Sequence, residues 1–198
     1  MNVPKFFRSL LGLFILVGLA SSMSSCGYND IVTKQEAVSG SWAQVQNAYQ
    51  RRADLIPNLV ETVKGAANFE KGTLEAVMAA RASATQVKLN VDQLTPEKVA
   101  QFQQAQQGLS SALARLMVVS ENYPDLKANQ NFRDLQAQIE GTENRISVER
   151  MKFNETVQDY NTYIQKFPTN LTAKMFDFEK KGYFEADKGA EKAPQVKF

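Results

Sequence analysis

One row of residues near the start of the chain constrains the fold most: Ile31, Gln35, Val38, Trp42, Val45, Tyr49, Arg52, Ile56, Leu59, Val63 and Ala66. Its steps alternate 4 and 3 without a break. A mean period near 3.5 cannot be buried by a strand, whose period is two, and it leaves a narrow apolar stripe that needs a partner helix of similar length. A second row supplies that partner: Phe132, Leu135, Ile139, Thr142, Ile146, Glu149, Phe153, Val157, Tyr160, Ile164 and Phe167. Its one irregularity is a pair of consecutive 4-steps around Phe153 and Val157, a stutter that locally unwinds a supercoil. At 1.5 Å per residue, about 40 residues make a rod of roughly 60 Å. The fold class expected is therefore all-α, an elongated antiparallel up-down bundle of four helices.

Breakers set the boundaries. The first helix is expected from about Tyr28 to Asn68, with Pro57 unable to donate to the carbonyl of Ala53 and so producing a kink there or a restart at Asp54. A second, Ala-rich helix spans about Lys71 to Lys88, and Asn90 to Thr95 reads as a loop. Thr95 and Pro96 supply the N-cap and N1 of a third helix running to about Asn122. The turn Tyr123-Pro124-Asp125 leads into a fourth, expected unbroken to Lys166.

Helices two and three are shorter than one and four, so they are expected to cover only the part of helix one beyond about Ala53. Below that level the prediction is a thin two-helix stalk, residues 28–52 against 150–167. Arg52 and Glu149 fall where body meets stalk, and an ion pair is expected between them. After Pro168 come Leu171, Met175, Phe176, Phe178, Tyr183 and Phe184. Two readings stay open for that segment: it folds back over the stalk, or its aromatics and Lys174, Lys180 and Lys181 enter lipid headgroups. Residues 187–198 are expected to be a disordered tail.

The N-terminus carries the clearest functional signal. Basic Lys5 and Arg8, an apolar run from Leu10 to Ala20 and the small residues before Cys26 have the order of a secretory signal, and the run is short for a membrane span. Met23-Ser24-Ser25-Cys26 resembles a bacterial lipobox. Residues 1–25 are expected to be removed, leaving Cys26 as a lipidated N-terminus followed by Gly27, and the chain held at the extracytoplasmic side of a membrane.

Composition then excludes most chemistry. The signal holds Lys5 and Arg8 and no acidic residue, which leaves 21 basic against 21 acidic side chains and no footprint for nucleic acid. There is no histidine, and Cys26 is the only cysteine. Triads, dyads built on imidazole or a free thiol, and zinc sites of His and Cys are thereby removed. No catalytic residue, cofactor or metal is expected, and the chain reads as a non-enzyme.

The best candidate site is a stripe beside the first seam: Arg51, Asp54, Asn58, Glu61 and Lys64. Residues at such spacing pair along one helix and bond to Glu140, Glu143, Asn144 and Arg145 on a facing helix, with a partner-binding groove as the second reading. Asn154 and Asn161, one heptad apart, read as polar layers that fix register.

Several segments carry a resemblance: Arg51 to Gly65 (RRADLIPNLVETVKG), Ala80-Arg81-Ala82, Glu121 to Gln136 (ENYPDLKANQNFRDLQ), Thr142 to Ile146 (TENRI) and Phe153 to Asn161 (FNETVQDYN), with Tyr28-Asn29 at the opening. In order and spacing they resemble the LemA family over about residues 28–186. Phe153 stands where that family usually has Tyr, and Ala66-Ala67-Asn68-Phe69 also departs from its pattern. The resemblance implies an envelope protein of long antiparallel helices, anchored at its N-terminus, and by association a membrane metalloprotease or a TPM-domain protein as partner. The function expected is a lipid-anchored interaction or scaffold module, with a lipid- or small-ligand-binding bundle as the alternative.

Overall fold

The computed structural model describes the backbone of residues 5–65 and 70–186, and side chains from residue 27 onward. The Cys26 side chain, the Ala66 end of the first seam and the expected tail lie outside the described residues. Among the described residues six helices and one 3-10 turn follow in order: α1 (Lys5–Lys64), α2 (Lys71–Gln86), a 3-10 turn (Val91–Gln93), α3 (Pro96–Ser120), α4 (Pro124–Ala128), α5 (Gln130–Gln165) and α6 (Thr169–Met175). No strand occurs among the described residues. The all-α bundle is as expected.

The two long seams face each other. Ile31, Val38, Trp42, Val45, Tyr49, Ile56, Leu59 and Val63 of α1 are buried, as are Phe132, Ile139, Ile146, Phe153, Val157, Tyr160 and Ile164 of α5. The stutter residues Phe153 and Val157 are both fully buried. Val99, Phe102, Leu109, Leu113 and Leu116 of α3 complete the interior with Leu74, Val77 and Ala84 of α2.

Pro57 does not restart α1 at Asp54: the helix is continuous from Lys5 to Lys64. The carbonyl that proline strands is satisfied from another helix. Arg81 of α2 donates Nε to the Ala53 oxygen at 2.7 Å, in the place of the missing backbone donor. The expected fourth helix, in contrast, is broken. Asn129 is extended and its side chain accepts from the amides of Asn131 and Phe132, capping α5 and separating it from the short α4.

The stalk is not a bare helix pair. Trp42 donates its indole N–H to the Leu89 carbonyl at 2.8 Å, and its ring lies 5.2 Å from that of Phe102. Leu89 and Leu94 of the connection are buried with Val38 and Val45, so the α2–α3 connection descends well below Ala53. The loop expected from polarity at Asn90 to Thr95 is an anchored segment, with Asn90 and Gln93 forming a reciprocal cap.

The C-terminal segment closes the same region. Residues 176–186 run without helix across α3 and α5, and Phe184 packs in the aromatic cluster with Trp42, Phe102 and Phe153. Gly182 donates its amide to Leu94 at 2.7 Å. A Cβ there would stand 2.7 Å from Pro96 Cα, so only glycine allows this approach.

Candidate partner-binding face

Arg51, Asp54, Asn58, Glu61 and Lys64 all lie exposed on the outer face of α1, the stripe required by their spacing. The bonds they make stay within that helix: Gln50 donates to Asp54 at 2.7 Å, Lys64 pairs with Glu61 at 2.6 Å, and Thr62 donates to the Asn58 carbonyl. No ion pair joins the stripe to α5 among the described residues. Arg51 of the stripe lines an open groove with Gln44, Asn47 and Ala48 of α1 and Gln138, Gly141, Thr142 and Arg145 of α5. Only α1 and α5 line this groove.

Gly141 forms part of its wall. A Cβ at Gly141 would meet nothing within 4 Å, so packing does not require glycine, although glycine in a helix costs about 0.5–1 kcal/mol relative to alanine. What the missing side chain does is keep the groove open beside the cationic groups of Arg51 and Arg145. Arg145 is tied at 2.8 Å to Glu149, four residues along the same helix.

Glu149 is therefore not the partner of Arg52. Arg52 is buried at 1% exposure and pairs with Glu143 at 2.6 Å, while its guanidinium also donates to Ser110 at 2.8 Å and to the Gln106 side chain at 2.7 Å. Tyr49 covers it with ring centroid and guanidinium carbon 5.1 Å apart. Glu149 lies six residues, about 9 Å, further along α5. It is buried against its own helix, held by Arg145 and by Lys152 at 3.4 Å. The contacts Asp30–Tyr163, Lys34–Asp159 and Trp42–Phe153 agree with the Arg52–Glu143 register. The mispairing has a physical source: the half-exposed Glu143 and the buried Glu149 are both carboxylates on α5 near the seam cation, and helix length alone does not choose between them.

Asn154 and Asn161 have a use that spacing did not disclose. Asn161 donates Nδ2 to the Lys181 carbonyl at 2.8 Å and accepts from the Lys181 amide at 2.9 Å; Asn154 does the same for Phe184, both at 2.9 Å. Gln103 of α3 repeats the pattern on Glu185 at 2.9 and 3.1 Å. Three side-chain amides thus replace a neighbouring strand for the C-terminal segment, which holds it in place without a sheet. The available signal was three amides at or beside buried seam positions.

The Tyr160 hydroxyl is pushed up to about 12 by burial and by Glu179, whose backbone carbonyl it also meets at 3.1 Å. Burial likewise holds Lys181 below the usual lysine range, against the pull of Asp92 and Glu179. No group of three or more metal-ligating side chains occurs among the described residues.

The LemA family model matches residues 41–198, most of the chain. The chain belongs to the LemA family. Protein LemA of Metamycoplasma hominis is 24% identical over 185 residues, covering 93% of this chain and 80% of its own length. Two magnetosome proteins share a shorter stretch. Magnetosome protein MamQ 2 of Paramagnetospirillum magneticum is 32% identical over 78 residues, 39% of this chain and 29% of its own length. Magnetosome protein MamQ of Magnetospirillum gryphiswaldense is 31% identical over 77 residues, 39% and 28% respectively. None of these names denotes an enzymatic activity. The conspicuous LemA-like segments coincide with structural joints: the Arg51 to Gly65 run holds Arg52 and Pro57, Arg81 satisfies Ala53, and the Phe153 to Asn161 run holds both clasping asparagines.

Proposed function

We propose that this LemA family protein is a non-catalytic docking module of the bacterial cell envelope, tethered by lipid on Cys26 at the extracytoplasmic side and presenting the Arg51 face of α1 and α5 to an envelope protein. The observation that carries the reading is the groove between the two longest helices, left uncovered while α2, α3 and the C-terminal segment pack elsewhere. Composition supports it, because a chain without histidine and with its one thiol at position 26 has little catalytic equipment. The tether this reading invokes is a lipid on Cys26, directly after the apolar N-terminal run. The partner class is the one the family resemblance implies, a membrane metalloprotease or a TPM-domain protein.

The alternative is a bundle that carries a lipid or small ligand. It is less favoured because the space between α1 and α5 is filled by side chains buried almost completely, and the grooves at the surface are open to solvent. A photo-crosslinking residue at Asn58, with one at the exposed Gln104 of α3 as control, separates the readings in growing cells. Recovery of one defined protein from Asn58 and not from Gln104, lost in an Arg51→Glu background, is the expected result. Recovery of lipid alone moves the assignment to the ligand-carrying bundle, and adducts equal at both positions overturn the docking face.

A further inference from the structure

Helix α6 is arranged opposite to an ordinary surface helix. Its buried residues are the small Thr169 and Ala173, while Leu171 and Met175 are 58% and 72% exposed. Phe167, in the turn that precedes α6, is 80% exposed, and Phe176, next to Met175, is 53% exposed. Leu171 and Met175 are four apart on α6 and share one face, with Phe167 in the turn before the helix and Phe176 just after it. Exposed Lys166 and Lys174 sit among them, and the acidic Asp177 and Glu179 follow.

This stripe lies beside the point where α1 leaves the apolar N-terminal segment. A Cβ at Gly27 would touch Thr172 of α6 at 3.7 Å, and the Tyr28 ring lies 4.8 Å from Phe176 and 5.8 Å from Phe178. The helix that holds Gly27 continues back through the apolar run to Lys5. A tether on Cys26 therefore brings the α6 stripe to the same surface. A second copy of the chain is a poor occupant, because four side chains on and beside a seven-residue helix fall far short of the roughly 20–30 residues a side that a stable interface uses.

We infer that α6 is a second membrane contact, laying Phe167, Leu171, Met175 and Phe176 into the headgroup and upper acyl region of the bilayer that holds Cys26. The inference rests on the N-terminal tether proposed above and adds to it a fixed posture. With one point of attachment the rod would swing; with two, one of them rigidly packed on α1 and α5, it is held at a defined tilt and turn, and the Arg51 face acquires a defined height and direction.

The test uses the full chain in vesicles of phosphatidylethanolamine and phosphatidylglycerol doped with a brominated phosphatidylcholine, a contact quencher of indole. Leu171→Trp places an indole on the stripe, Met175→Trp repeats it, and Val118→Trp places one at an exposed site near the far end of α3; the unaltered chain gives the Trp42 baseline. Flotation reports attachment separately. We expect all variants to float and the brominated lipid to quench the Leu171→Trp and Met175→Trp signals at least about twofold more than the Val118→Trp signal, since interfacial apolar faces sit within about 5–10 Å of the headgroup boundary. If the variants float and positions 171 and 175 are quenched no more than 118, the α6 contact is overturned and the tether stands. A blue shift at 171 without quenching means that protein covers the stripe and also overturns it. If no variant floats, tether and contact fall together.

Discussion

Replacing Asn161 by Ala should loosen the whole C-terminal segment. The amide of Asn161 satisfies both the N–H and the C=O of Lys181, at 2.9 and 2.8 Å, in a place where the asparagine is 4% exposed. If the segment stayed in place, two buried backbone groups would lose their partners, at about 1–3 kcal/mol each. If it peeled away, water would satisfy them, but Phe184 would leave the aromatic cluster, and exposing one such side chain costs about 1.5–3 kcal/mol. The cheaper route sets the outcome, so the expected loss is about 1.5–3 kcal/mol. Asn154→Ala attacks the same segment three residues on, and once the segment is free the second change has little left to break. The double variant should therefore cost at least about 1 kcal/mol less than the two single losses together. Urea unfolding followed through Trp42, the only tryptophan and stacked 6.0 Å from Phe184, reads both quantities. Asn144→Ala, at an exposed position, is the control and should stay within about 0.5 kcal/mol. Additive losses, or an Asn161→Ala loss no larger than the control, would refute the clasp.

Three further outcomes follow from the packing. Arg81→Ala should cost about 1–3 kcal/mol by leaving the Ala53 carbonyl unbonded, and most of that cost should vanish in a Pro57→Ala background, where residue 57 regains its own N–H; equal cost in both backgrounds, measured by urea unfolding, would exclude the repair. A double-mutant cycle should give a coupling of about 1–3 kcal/mol between Arg52 and Glu143 and less than about 0.5 between Arg52 and Glu149; the reverse pattern would restore the register expected from helix length. Tyr160 holds its proton up to about 12 in the folded chain, above the ordinary value of 10.0, so the native state binds more protons than the unfolded state in that window and stability falls as pH rises through it. Ultraviolet titration should show a late tyrosinate step that Tyr160→Phe removes, and its persistence in that variant would reassign the buried hydroxyl.

The parts of this structure legible in the sequence are those governed by periodicity. A 3.5-residue repeat names the buried face of α1 and α5 almost residue by residue, because any other orientation would expose Trp42, Leu59 or Phe153. Thr95-Pro96 fixes the start of α3 because its capping chemistry is local. What periodicity does not carry is the partner of a polar group. Pro57 reads as a break because the donor that repairs it, Arg81, is on another helix; Arg52 finds Glu143 because side chains of α3 gather around it; and Asn154 and Asn161 read as register layers because a segment without secondary structure leaves no pattern to match them. The Arg51 stripe was found by spacing alone, yet the groove beside it also needs Gly141 and Arg145, which belong to no repeat.

Metabolic labelling with an alkyne palmitate analogue, combined with membrane fractionation of the intact chain and of Cys26→Ala, tests the tether on which the functional account depends. The account predicts that the intact chain takes the label and pellets with membranes, and that the variant loses both properties. An intact chain that stays unlabelled and remains in the soluble fraction would contradict it.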